Sequence, residues 1–173
     1  KYSKQLGDGN LLSQLSKKKV IYNFRQNDLL KGGDGAPLSP IFHQIIVKEK
    51  KIDLPVCILN IGGISNLTLI KDLKEENLIS RDIGPGNCLI DEWIRRNKKG
   101  NYDIDGEFAN CGKTNKLILN QALEDFENIP IKNINSFDVN DFEINFLRGL
   151  DLEDGASTIT DFTSSIIANK LLE

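Results

Sequence analysis

Glycine ends several apolar runs in this chain, and that punctuation limits its fold more than any other feature. Gly32-Gly33-Asp34-Gly35, Gly62-Gly63 and Gly84-Pro85-Gly86 each follow a short apolar segment. Without a Cβ, glycine lets backbone N–H groups come close to an anion. A helix starting after such a loop adds the positive end of its dipole. Gly84-Pro85-Gly86-Asn87, ahead of the amphipathic stretch Cys88–Lys98, meets both conditions, and Gly62-Gly63 meets the first. Taken singly, each reads first as an ordinary tight turn. Taken together, strand-then-glycine loops favour phosphate handling.

Apolar spacing fills in the rest. Val20–Phe24, a buried Val56–Asn60, Leu67–Ile70 and Leu78–Ile83 read as strands, and the middle two form a hairpin across Gly62–Asn66. Phe24–Leu38 reads as a loop. Leu11, Leu12 and Leu15 have helical spacing. Pro40–Lys50 is a predicted helix with Ile41, Phe42 and Ile45 on one face, followed later by Cys88–Lys98. Thr114 caps a helix to about Phe126, Asp141–Leu147 is a short one, and Ser157 or Thr158 starts the last, to Leu172. Asn101–Gly112 reads as irregular and Ile129–Val139 as a connector. The class is α/β.

Composition removes several functions. The 173 residues carry 22 Lys+Arg against 25 Asp+Glu, a net charge of −3, so nothing favours nucleic acid as a partner. No apolar run approaches the ~18 residues of a membrane span, so no membrane partner is expected. The chain has no methionine and begins at Lys1. The expectation is a piece of a longer protein, catalytically incomplete alone. Cys57, Cys88 and Cys111 are odd in number and lack C-x-x-C spacing, so neither a disulfide framework nor a zinc site is predicted. That pattern suits a reducing, cytoplasmic setting. Cys57 reads as a small core residue, and His43, the one histidine, as a packing or hydrogen-bonding residue.

Nucleotide fingerprints fail on spacing. Neither Gly33-Asp34-Gly35 nor Gly84-Pro85-Gly86 has a glycine three positions on. Gly112-Lys113-Thr114 resembles the end of a phosphate loop, but its partner glycine, Gly106, is one place off. Among the acids, Asp28 stands just before Gly32-Gly33 and Asp82 just before Gly84. A carboxylate there suits a general base or a magnesium ligand. Asp91 and Asp105 read as helix or turn caps.

The longer motifs carry a resemblance. Gln5-Leu6-Gly7-Asp8-Gly9, Asn23-Phe24-Arg25-Gln26-Asn27-Asp28 and Gly32-Gly33-Asp34-Gly35-Ala36-Pro37-Leu38-Ser39-Pro40-Ile41-Phe42-His43 appear in the order seen in anhydro-N-acetylmuramic acid kinases. Leu59-Asn60-Ile61-Gly62-Gly63-Ile64-Ser65-Asn66-Leu67-Thr68 and Asp82-Ile83-Gly84-Pro85-Gly86-Asn87-Cys88-Leu89-Ile90-Asp91 are similar too, as are Tyr102-Asp103, Asp105-Gly106, Ala109 and Gly112.

The resemblance implies part of an actin-like ATPase fold, that of the sugar kinase, heat-shock chaperone and actin superfamily. Residues 1–54 would end the N-terminal sugar-binding domain and its crossover. Residues 55–173 would begin the C-terminal ATPase-like domain. Family members open the 1,6-anhydro ring with water and use ATP to phosphorylate the freed 6-oxygen during peptidoglycan recycling. By this resemblance Asp28 is the base that activates water, and Arg25, Gly33 and Gly35 lie on the sugar side. The hairpin from Asn60 through Gly62 and Gly63 resembles the second phosphate-binding turn of actin-like ATPases; the residues themselves add Asn66, Gly84, Gly86 and Asn87 as nucleotide-binding and Asp82 as a candidate for ordering Mg2+ or water. Members are often dimers, so a homodimer is an expectation. Asp34 stands where the family usually has glutamine, and the family's N-terminal Gly-Thr-Ser-x-Asp-Gly loop does not occur in this sequence. Two other readings fit the same residues: a non-catalytic actin-like module, and a different sugar phosphotransferase of the same fold.

Overall fold

A computed structural model describes residues 4, 6–33, 35–74, 77–128 and 137–172. Three helices come first: α1 (Gly9–Ser16), α2 (Phe24–Leu30) and α3 (Ser39–Lys50). A three-stranded antiparallel sheet follows, β1 (Val56–Ile61), β2 (Ile64–Ile70) and β3 (Leu78–Pro85), in the order β1-β2-β3. Then come α4 (Cys88–Arg96), α5 (Glu107–Cys111), α6 (Lys116–Glu127) and α7 (Leu152–Leu172). Short 3-10 turns lie at Ile104–Gly106, Val139–Asp141 and Asn145–Leu147.

The first third departs most from the sequence reading. Val20–Phe24 is not a strand, and the predicted loop from Phe24 holds α2 instead. Asn23 takes a left-handed φ of 66° and turns the chain straight into the helix. No glycine or proline interrupts Phe24–Leu30, and no described strand pairs with Val20–Phe24. In α3, Pro40 sits in the first turn as expected, but Pro40, Gln44 and Val47 are the buried face. Ile41, Phe42 and Ile45 point outward, more than half exposed.

The hairpin is confirmed, with Asn60 opposite Asn66 and Ile61 opposite Ser65, so the reversal narrows to Gly62-Gly63. β1 is a half-exposed edge strand rather than a buried one, and Cys57 is exposed rather than in the core. The cause is coverage: α7 packs on β3, and α3 lies across β2 and β3. Thr68 on β2 bonds to α3, whereas Leu67 and Ile83 pack with Ile167 of α7. The two helices therefore cover opposite faces of the sheet.

The main core lies where α4, α6 and α7 meet. Leu89, Trp93, Ile94, Leu119, Ile144, Leu147, Ile159 and Phe162 fill it. The Trp93 ring lies on Gly155, and its Nε1–H donates to the Leu152 carbonyl at 2.9 Å. α7 starts earlier than the sequence suggested: Asp151 accepts from the Asp154 N–H at 2.8 Å, so Ser157 and Thr158 lie inside the helix. Thr158 Oγ1 instead takes the Asn115 N–H at 3.0 Å, and Asn115 rather than Thr114 caps α6. Asp141–Leu147 is two 3-10 turns and not one helix. Most of the predicted connector Ile129–Val139 lies outside the described residues. Ile159 is fully buried, so Ile159→Ala should lower unfolding stability by about 3 kcal/mol in urea denaturation.

Candidate functional site

Two glycine-rich constellations stand out. The first is built on α2. The Asp28 carboxylate accepts the Gly35 N–H at 2.7 Å, and its carbonyl takes the Gly33 N–H at 2.9 Å. Arg25 Nη1 donates to the Gly35 carbonyl at 3.0 Å. Gly35 has a left-handed φ of 75°, and a Cβ on Gly33 would collide with the Asp28 carboxylate. These bonds bring Arg25 and Asp28 of α2 together with Gly33 and Gly35 of the turn that follows. The carboxylate is half-buried and meets backbone amide rather than packed hydrocarbon. Asp34 lies outside the described residues.

The second joins the hairpin turn to the start of α4. The Gly62 carbonyl takes the Asn87 N–H at 2.7 Å, and the Gly63 carbonyl takes those of Gly86 at 2.9 Å and Cys88 at 3.2 Å. Gly86 lies so close to the Gly62 carbonyl that a Cβ there would overlap it. Gly84, at φ 156°, gives the same room to Ile166 of α7. Because the Gly86, Asn87 and Cys88 N–H groups are spent on the hairpin, this loop buttresses the Gly62-Gly63 turn and is not itself an open amide cradle. Sequence spacing suggested two separate cradles; the structure makes them one unit.

Strand register adds a feature that spacing did not reveal. Asn60 pairs with Asn66, and Asn66 with Asp82. Cross-strand partners share a face, so these three form a polar row beside the glycine turn. Asp82 Oδ2 accepts the Phe137 N–H at 2.8 Å. Among the described residues, no group of three His, Cys, Asp or Glu side chains could cage a metal ion.

His43 ties α3 to the sheet. Its Nδ1 lies 2.9 Å from Thr68 Oγ1, on the sheet face that carries the polar row. His43→Ala should cost about 1 kcal/mol of stability, read by denaturant titration. His43→Asn, which keeps a polar group able to pair with Thr68, should recover part of it.

Of the remaining acids, Asp105 caps nothing; it holds a left-handed φ of 54°. Asp103 does the capping, accepting the Phe108 and Ala109 N–H groups at 3.0 Å each. Sequence reasoning missed it, although a carboxylate five residues before Phe108 was the available signal. Asp91, on the first turn of α4, has its carboxyl held above the usual range by desolvation, partly offset by Arg95. Burial likewise pushes the Cys88 thiol up, which argues against a thiolate nucleophile. No described helix is long and apolar enough to cross a membrane.

The glycine loops thus brace an acid on one side and a hairpin turn on the other. Residues 1–172 match the sequence model of the family described as anhydro-N-acetylmuramic acid kinase. The chain is 54% identical over 173 residues to an anhydro-N-acetylmuramic acid kinase from Pelagibacter ubique, covering 100% of this chain and 46% of that protein. Proteins of the same name from Zymomonas mobilis and Methylobacterium nodulans are each 38% identical over 169 residues, covering 96% of this chain and 45% and 44% of theirs. The chain belongs to the anhydro-N-acetylmuramic acid kinase family. It spans about half the length of the curated relatives it matches.

Proposed function

We propose that this chain is the central part of an ATP-dependent kinase that opens 1,6-anhydro-N-acetylmuramic acid and phosphorylates its 6-oxygen. The observation that carries the reading is the Asp28 carboxylate, fixed by the Gly35 N–H in a loop shared with Arg25 and Gly33. A base must be held in place before water arrives, and a backbone amide bond holds it without neutralising it. Asp28 takes a proton from water as the water oxygen bonds to the anomeric carbon and the bond from that carbon to O6 breaks. The freed O6 attacks the γ-phosphorus, and ADP leaves. Positioning and charge neutralisation are what such a transfer needs from a protein.

The Gly62-Gly63 turn, braced by Gly84, Gly86 and Asn87, would receive the phosphates, with Asn60 and Asn66 beside it. Mg2+ bound with a nucleotide usually keeps only one or two protein carboxylates and takes its other ligands from phosphate and water. The described residues fit that pattern: they offer no cage but leave Asp82 Oδ1 without a partner among them. Asp82 would hold the ion, which supplies charge neutralisation at the transferring phosphoryl group. Residues 1–54 would close the sugar-binding domain and 55–173 open the ATPase-like domain of an actin-like fold. Peptidoglycan recycling in the cytoplasm, in a homodimer, fits this assignment.

The test is incubation of the full-length gene product with anhydro-sugar and ATP, followed by 31P NMR and mass spectrometry. A product equal to the sugar plus water plus one phosphoryl group supports the reading. ADP release without sugar phosphate, or phosphorylation of an intact anhydro ring, overturns it.

A further inference from the structure

α3 turns its more apolar side to solvent. Leu38, Ile41, Phe42 and Ile45 stand at i, i+3, i+4 and i+7, the spacing of one helical stripe. They are 39%, 54%, 60% and 52% exposed. The side turned to the sheet is the poorer one, with Pro40, Gln44 and Val47 as its buried residues. Gln44 Nε2 is buried there with no hydrogen-bond partner among the described residues. A helix that only roofed a sheet would put the stripe inward and the carboxamide outward. α3 is patterned for two neighbours, and the described residues supply one.

Apolar side chains scattered singly on a surface need no explanation, but a stripe at helical spacing does. Its shape fits a helix, because i, i+3, i+4 and i+7 are the anchors through which one helix seats on another. Charge argues against a second copy of α3. Lys48, Lys50 and Lys51 outweigh Glu49 at its C-terminal end, and its first turn holds no acid and no side-chain cap. An antiparallel pair would set that basic end against a helix N-terminus, which carries its own partial positive charge. A parallel pair would set lysine beside lysine.

Area argues the same way. Half-exposed side chains of this size offer roughly 100 Å2 each, so four give about half of the ~800 Å2 a side found in stable complexes. A segment of the same polypeptide needs less area, because the linkage spares much of the cost of association. The curated relatives are about twice as long as this chain, which covers 46% and 45% of two of them. Polypeptide of that length has room for the missing helix.

We infer that the stripe Leu38, Ile41, Phe42 and Ile45 is the seat of an amphipathic helix from the part of the full-length protein outside these 173 residues, with an acidic residue of that helix toward Lys48. α3 is then gripped from both sides, by the sheet and by the second helix, a few residues after the Gly35 loop that holds Asp28.

The test is photocrosslinking of the full-length gene product carrying p-benzoylphenylalanine in place of Phe42 or, separately, of Ile45. Peptide mass spectrometry should find both joined to one segment of the same chain outside residues 1–173, with no doubling of chain mass. In parallel, Ile45→Cys in the full-length protein should react with a maleimide at least tenfold more slowly than in urea, read on its own peptide. That variant is small enough to fold, so labelling decides the point if the benzoyl forms do not. Crosslinks between two chains, with labelling that quickens on dilution, give the stripe to a second copy and overturn the inference. Crosslinks confined to residues 1–173 overturn it as well. So does labelling as fast as in urea, which would leave the stripe open to solvent. None of these readouts depends on turnover, so failure here leaves the kinase reading standing.

Discussion

Asp28→Asn in the full-length gene product should lower kcat by about 10^3-fold while KM for the anhydro-sugar changes by no more than a few-fold, the range expected when a general base is removed. The amide oxygen of asparagine can still accept the Gly35 N–H that the carboxylate holds at 2.7 Å. The loop carrying Arg25, Gly33 and Gly35 therefore keeps its shape, and only proton acceptance is lost. Asp28→Ala removes both functions, so it should raise KM as well as lower kcat. That split distinguishes a base from a mere loop brace. If Asp28→Asn turns over at more than a tenth of the wild-type rate, Asp28 is not the base. If both variants only raise KM, its role is to shape the sugar loop.

The second large effect falls on Gly86. A Cβ there would overlap the Gly62 carbonyl oxygen, with the Gly62 carbon and Ser65 Oγ each 3.1 Å away. Two of these neighbours are backbone, so they cannot swing aside as a side-chain end could. The hairpin turn and the α4 loop must part, and the Gly86 N–H to Gly63 carbonyl bond of 2.9 Å goes with them. Gly86→Ala should cost about 3 kcal/mol, roughly 10 °C in Tm for a chain of this size. Nucleotide affinity should fall with it, because the turn loses its brace. Gly7→Ala is the matching control: nothing lies within 4 Å of its Cβ position. It should melt within about 1 °C of the wild type, since exposed substitutions of this kind rarely matter. Thermal melting of the two variants side by side decides the point, and equal Tm values would mean that the interlock is not rigid.

The sheet and the late helices were legible because their signals are local. Alternation and glycine bounded β2 and β3, and apolar spacing placed α4 and α6 to within a few residues. What failed depended on partners far away in sequence. Val20–Phe24 has strand composition but no strand beside it, so composition could not decide its state. Val56–Asn60 is apolar enough for a core, yet it sits at the edge of the sheet and stays half-exposed. In α3 the stripe Ile41, Phe42, Ile45 was visible, but the packed side was set by Thr68 and the sheet, which favour His43, Gln44 and Val47.

The candidate site was partly legible for the same reason. Gly33, Gly35 and Asp28 are close in sequence, so their loop could be anticipated. That Gly86 and Asn87 donate to Gly62 and Gly63, rather than to a ligand, is a contact across more than twenty residues. The alignment of Asn60, Asn66 and Asp82 needed the register of two strand pairs, including the bulge between Ser65 and Asn66. Asp103 as the cap of α5 was hidden by Asp105, which lies closer to the helix in sequence but sits in a left-handed turn.

One long helix ties distant pieces together. Over its 21 residues, α7 receives the Lys113 N–H on Asp154 and the Asn115 N–H on Thr158, packs Gly155 under Trp93, sets Ile166 against Gly84, and places Ile167 in the small cluster under the sheet. Thr163 even reaches the Gly86 carbonyl at 3.5 Å. A helix that long runs for about 30 Å, from the α5–α6 corner to the underside of the hairpin. Slackening anywhere along it would be felt at both ends, so the braced turn has no private opening route: its amides should exchange with solvent on the same slow clock as the tryptophan core.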